Sequence, residues 1–210
     1  MDPLSPPELR VLGCLIEKER TVPDSYPLTL NALLGACNQT SNRDPVVSYE
    51  PYEVEAALMQ LRSHGLTRVV HSPSNRAEKY RHVAGEALGL EDDTVTVLAP
   101  LLLRGPQTVN ELRTRTERYV PGVPDVEGAL RVLESRGLVA NVGRRPGQRE
   151  ERWTHLLAGP PTEEPLERPT TDERAPGTAS NSTGTTLADR LESLEDRVTR
   201  LEAALEELLG

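Results

Sequence analysis

The 210-residue sequence has no phenylalanine, one tryptophan and five tyrosines, so any core must be built from Leu, Val and Ala. Such a composition favours small, helix-rich units. Cysteine is almost as scarce: Cys14 and Cys37 are the only two, and they stand at no metal-ligand spacing. That usage fits a reducing compartment and argues against a disulfide scaffold. No run of 18 apolar residues occurs, and the first residues lack a basic stretch leading into an apolar one. The expectation is a soluble, cytoplasmic protein with no membrane association. Catalytic signatures are missing as well. There is no Gly-rich phosphate loop and no nucleophile elbow. His64, His71, His82 and His155 have no cysteine or carboxylate at a metal-binding spacing, and the adjacent pairs Asp92-Asp93 and Glu150-Glu151 read as solvated carboxylates. The chain is therefore expected to be no enzyme and to need no metal or cofactor.

What is present is an internal repeat. PLTLNAL, from Pro27 to Leu33, recurs 79 residues later as PQTVNEL, from Pro106 to Leu112. VEAALMQLRSHGL, from Val54 to Leu66, recurs 72 residues later as VEGALRVLESRGL, from Val126 to Leu138. The order is kept, and the first copy carries seven extra residues between the two segments.

Each copy reads as three helices followed by a hairpin. Ser5-Pro6-Pro7-Glu8 is a capping box, Leu4 and Leu9 form a hydrophobic staple, and Leu9, Leu12, Leu15 and Ile16 give the first apolar stripe. Thr29 caps the second helix and Thr108 to Glu111 caps its copy. Val54, Ala57, Leu58 and Leu61 mark the third helix, which ends at Gly65; Val126, Ala129, Leu130, Leu133 and Gly137 repeat that arrangement. The hairpins run over Leu66–His82 and Leu138–Leu156, and His82 and His155 fall at matching places in them, which suggests a repeated structural role.

Three helices closed by a hairpin are the winged helix-turn-helix arrangement, with a plain three-helix bundle as the alternative. The expected fold is mainly α with small β-hairpins: winged-helix domains at 1–86 and 87–158, then a Pro/Thr/Glu linker at 159–186 that reads as disordered. Leu187, Leu191, Leu194, Val198, Leu201, Leu205 and Leu208 follow a 4-3 spacing and predict a coiled-coil helix over 187–210. With Arg190 and Arg197 facing Glu195 and Glu202 of a second chain, residues 187–209 suit a weak parallel homodimer. In the fourth helix, whose stripe is Val95, Leu98, Leu101 and Leu102, Pro100 predicts a kink or a late start.

YPLTLNALLGACNQTSNRDPV, from Tyr26 to Val46, closely resembles the signature of the YceH family of uncharacterised bacterial proteins. RGPQTVNELRTRTER (Arg104 to Arg118) and PGQREERWTHLL (Pro146 to Leu157) resemble the second half of the same family. The likeness spans about residues 4–158 and implies a tandem winged-helix fold with no established activity. Pro100 departs from the family, where a helix former is commoner.

Charge bears on the partner. Residues 1–158 carry 19 Lys and Arg against 21 Asp and Glu, whereas residues 159–210 carry 5 against 12. The acidity thus belongs to the tail. Within the repeat, Arg113, Arg115 and Arg118, near Arg104, mark the second helix of copy two, while Arg144, Arg145, Arg149 and Arg152 mark its hairpin. These are the candidates for phosphate contact if the ligand is DNA. Glu53, Glu55, Asp125 and Glu127 near the starts of the third helices oppose that reading. The polar segment Asn38–Pro45 is either a structured loop or a recognition loop contacting a partner through Asn42 and Arg43. Two functions follow from these residues, a DNA-binding regulator or a protein-protein interaction module.

Overall fold

Helix α1 (Pro6–Thr21) begins where the prolines and the cap place it: Ser5 N–H donates to Glu8 Oε2 at 3.1 Å, and Leu4 and Leu9 are both buried. The structure, a computed structural model, describes residues 2–71, 77–119, 125–144 and 147–160. Strand β1 (Leu28–Thr29) leads into α2 (Leu30–Cys37), whose N-cap Thr29 Oγ1 accepts the Ala32 N–H at 3.3 Å. Helix α3 (Pro51–Ser63) buries Val54, Ala57, Leu58 and Leu61, the residues its periodicity selects. Gly65 ends it at φ 73°, a left-handed turn that favours glycine. The hairpin of β2 (Thr67–Val70) and β3 (Lys79–His82) and the short α4 (Ala84–Leu88) complete the first copy.

The second copy repeats the order with α5 (Asp92–Arg104), β4 (Gln107–Thr108), α6 (Val109–Thr116), α7 (Val126–Ser135) and the hairpin of β5 (Val139–Arg144) and β6 (Glu151–His155). Thr108 and Glu111 form the full capping box: Thr108 N–H donates to Glu111 Oε2 at 2.9 Å, and Thr108 Oγ1 accepts the Glu111 N–H at 3.2 Å. The described residues thus hold seven α-helices and two small antiparallel sheets, a mixed α/β architecture.

Three features differ from the reading of the sequence. Each hairpin carries a third strand, in the orders β1-β3-β2 and β4-β6-β5. A two-residue strand has no periodicity to detect, and the same threonines serve as strand end and helix cap: Thr29 pairs with Lys79, Thr108 with Arg152. Helix α4 is likewise absent from the sequence pattern, since five residues cannot show a stripe. Pro100, finally, does not delay α5, which starts at Asp92 and runs unbroken through the proline to Arg104. Proline removes one hydrogen bond, to the Thr96 carbonyl, but every residue from Thr94 to Leu103 is buried, so packing on all sides holds the helix. Arg145 and the positions Leu187, Leu191, Leu194, Val198, Leu201, Leu205 and Leu208, with most of the linker, lie outside the described residues.

The two copies share one core, with α1 packed chiefly on α5. Backbone bonds also join them, from Leu4 N–H to the Leu157 carbonyl (2.7 Å) and from Asp44 N–H to the Leu103 carbonyl (2.9 Å). Helix α1 packs tightly on α5 at Gly13, where an added Cβ would lie 2.9 Å from Leu103 Cγ and 3.1 Å from Leu102 Cβ. Alanine in an exposed helix would gain about 1 kcal/mol over glycine. Here the overpacking penalty of about 1–3 kcal/mol dominates. Gly13→Ala is expected to destabilise the protein in urea unfolding, and a variant more stable than wild type would show that the helices can part without loss.

Candidate interaction surfaces

The polar segment after α2 is a clasp, and Arg43 is its pin. Its side chain is fully buried, donating Nε–H to the Ala36 carbonyl (3.1 Å), two bonds to the Glu17 carboxylate (3.1 and 2.6 Å) and one to Gln39 Oε1 (2.7 Å). Burial by itself would lower the Arg43 pKa, but the hydrogen bond and charge of Glu17 outweigh it, and the group is held above its ordinary value. Tyr119, from the second copy, donates to the same carboxylate at 3.4 Å. Arg10 on α1 donates to the carbonyls of Cys37, at 3.1 Å, and Pro45. Asn38 closes the loop by exchanging two bonds with the Tyr49 backbone, at 2.9 and 2.8 Å. Asn42 is exposed, at φ 58°. Of the two contact candidates in this segment, then, Arg43 is turned inward and only Asn42 faces solvent.

The basic residues of copy two do not form one clear field. Arg113 is bonded to Glu127 at 3.4 Å and to Asn110 at 3.0 Å. Arg144 lies 3.9 Å from Glu151. Arg152 is directed inward, onto Glu111 at 3.0 Å and the Pro106 carbonyl at 2.8 Å. Asn110 binds Glu150 at 2.8 Å, which draws a carboxylate from the hairpin onto α6. Arg118 and Arg149 are exposed and Arg115 is half-buried. Burial first, and the neighbouring charge of Arg104 second, lower the pKa of Arg115; Arg118 adds to the same effect. Arg104, Arg115 and Arg118 thus form a basic corner at the ends of α5 and α6.

The outer face of α3 is different. Tyr52 is 67% exposed and Met59 73% exposed, with Glu55 between them and Arg62 beyond. Together with the β2–β3 hairpin this face walls a groove of about 230 Å³. Among the described residues no group of three or more His, Cys, Asp or Glu is placed to hold a metal ion, and no helix is long and apolar enough to cross a membrane.

A family profile described as "Protein of unknown function, DUF480" matches residues 4–158. The chain belongs to the DUF480 family. Its relatives carry the name UPF0502 protein. One from Geobacter metallireducens is 52% identical over 161 residues, covering 75% of this chain and 73% of its own. Another from Acidovorax sp. is 42% identical over 214 residues, covering 98% of this chain and 92% of its own. A third, from Pseudomonas aeruginosa, is 48% identical over 158 residues, covering 74% and 71%. The family match and the described core have almost the same limits.

In this DUF480 chain, the residues that sequence reasoning passed over are Arg10 and Glu17, both buried in α1. A signal existed: Leu9, Val11, Leu12, Cys14, Leu15 and Ile16 leave α1 no polar face, so charges within it require partners. The histidines do share a place, His82 opposite Thr67 and His155 opposite Val139. Their surroundings differ. His82 Nε2 lies 2.8 Å from Glu19 Oε2, and its Nδ1 accepts the Ala84 N–H at 3.3 Å, while His155 Nδ1 is buried without a partner.

Proposed function

We propose that this protein is a tandem winged-helix binding module, not an enzyme, and that its partner is a protein. Each copy, residues 1–86 and 87–158, is read as one winged-helix domain, because helix, short strand, two helices and a hairpin follow one another with the short strand added to the hairpin. Fold alone does not choose the partner. The observation that carries the choice is the outer face of α3, which presents Tyr52 and Met59 to solvent beside Glu55. Exposed aromatic and methionine side chains suit a protein interface, whereas phosphate recognition needs accessible cations. In copy two Arg113 and Arg144 lie against Glu127 and Glu151 and Arg152 turns inward, which leaves Arg118 and Arg149 as the exposed cations of the described second helix and hairpin.

DNA binding is the second reading, favoured by the Arg104/Arg115/Arg118 corner. One experiment separates the two. Tagged full-length protein and its Tyr52→Glu/Met59→Glu variant are recovered from cells in parallel, and both are titrated with duplex DNA at low salt. The expected result is a set of co-purifying proteins reduced about tenfold by the double variant, as for loss of an aromatic anchor, with no salt-steep DNA binding. Duplex binding whose log–log salt slope becomes shallower by about two in Arg115→Ala/Arg118→Ala would overturn the protein reading.

A further inference from the structure

The groove beside α3 has a chemistry of its own. Leu58, Met59, Val69 and Tyr80 give it an apolar lining. Two carboxylates, Glu55 and Glu78, and one cation, Arg62, also line it, and the Tyr80 hydroxyl donates to Glu78 Oε2 at 3.1 Å. Burial, then the hydrogen bond and charge of Glu78 and the charge of Glu55, raise the pKa of that hydroxyl. At about 230 Å³ the groove is smaller than the roughly 300–1,000 Å³ usual for small-molecule sites, and its size suits one or two side chains.

The second copy supplies the comparison. By the repeat and the hairpin register, Glu55, Leu58, Met59, Val69, Glu78 and Tyr80 correspond to Glu127, Leu130, Arg131, Asn141, Glu151 and Trp153. There, Asn141 Nδ2 donates to Glu151 Oε2 at 2.7 Å and Arg144 lies 3.9 Å from the same carboxylate. Glu127 is bonded to Arg113. The carboxylates of copy two are therefore answered from within the chain. Copy one has Val69, which has no donor, where copy two has Asn141, and Met59 where copy two has Arg131. Two apolar side chains have taken the place of polar ones around the same pair of acids, and Arg62 stands where copy two has Glu134.

We propose that the α3–hairpin groove of copy one binds an extended segment of a partner protein in which a lysine or arginine stands beside an apolar side chain, the cation meeting Glu55 and Glu78 and the apolar group covering Leu58 and Val69. Charge complementarity selects this occupant: with two carboxylates against one cation, Arg62, the slot is net acidic and disfavours a phosphate backbone or an acidic peptide. The aliphatic stem of a lysine or arginine also packs along Tyr80 and Met59 while its head reaches the acids. This inference rests on the protein-docking reading above.

The test is selection of a random linear peptide library on the immobilised full-length protein, with binding of the enriched peptides then measured by fluorescence anisotropy. Enriched peptides are expected to place Lys or Arg within a few residues of Leu, Ile, Met or Phe. Their affinity should fall at least about tenfold in Glu55→Gln/Glu78→Gln, as for loss of a charge-assisted bond. The matching Glu127→Gln/Glu151→Gln variant of copy two should bind as wild type does. Both substitutions are isosteric, and an unchanged circular dichroism spectrum checks the fold. Peptides that lack a cation, or that bind Glu55→Gln/Glu78→Gln as tightly as wild type, overturn this inference and leave the protein-docking reading standing. Failure to enrich any peptide overturns it too, and if the same protein then shifts duplex DNA, both readings fall together.

Discussion

Replacing Arg43 by alanine should destabilise the protein by about 3–5 kcal/mol, the usual consequence of removing one partner from a buried ion pair. In a chain of this size that corresponds to a fall in Tm on the order of 10 °C. The magnitude follows from what the side chain does. It is fully buried and satisfies the Ala36 carbonyl, both oxygens of Glu17 and Gln39 Oε1 together. Glu17 is itself nearly buried, and without Arg43 it keeps only Lys18 at 3.5 Å and the weak Tyr119 bond at 3.4 Å. Arg43→Lys retains the charge but not the planar fork that reaches all four acceptors, so an intermediate loss is expected. Arg43→Met/Glu17→Met removes both charges and should be less harmful than Arg43→Ala, because no charge is left without a partner. Urea unfolding of the four proteins gives the comparison. An Arg43→Ala variant within about 0.5 kcal/mol of wild type, as for an ordinary surface substitution, would show that the clasp contributes nothing to stability.

How far these features can be read from sequence depends on whether a residue acts through its neighbours in the chain or through distant ones. The capping box at Thr108–Glu111, the buried faces of α3 and α7 and the glycine that ends each are local, with a period or a fixed offset that the residues themselves display. The clasp is not local. Arg43 resembles a solvated arginine in a polar loop, since its partner Glu17 lies 26 residues back and Tyr119 lies in the other copy. Arg113 and Arg144 look like available cations for the same reason, as their carboxylate partners Glu127 and Glu151 come from other elements. The α3 groove is harder still to foresee: Met59 and Tyr52 read as helix residues of no particular note, and only the packing of Leu58 and Leu61 beneath turns them outward. Pro100 is the opposite case: the late start that a local rule allows does not occur, because α5 is held by burial on every side.

The two copies also differ in how they treat one structural position, with a measurable consequence at acid pH. His155 stands where His82 stands in copy one but has no equivalent of Glu19 to bond, and burial pushes its pKa down to about 4 from the ordinary 6.5. Between those two values the unfolded chain binds a proton at this residue and the folded protein does not, so stability falls as pH is lowered. Above pH 6.5 both states are neutral here and the group has no effect; below about 4 both are protonated and the loss is complete. Its full size is about 3 kcal/mol, because a tenfold difference in proton affinity between the folded and unfolded states is worth about 1.4 kcal/mol. Glu19 acts in a different range. The hydrogen bond from His82, the largest cause, lowers its pKa below 4.5, so its contribution is present above that value and disappears as pH falls through the lower, folded one. Wild type and His155→Phe, which fills a similar space without a titrating group, should be unfolded in urea at half-unit steps from pH 4 to pH 7.5. The difference in stability between them should change by about 3 kcal/mol in favour of the phenylalanine variant as pH falls from 6.5 to 4. A difference that stays constant across this range would mean that His155 is protonated as readily in the folded protein as in the unfolded chain.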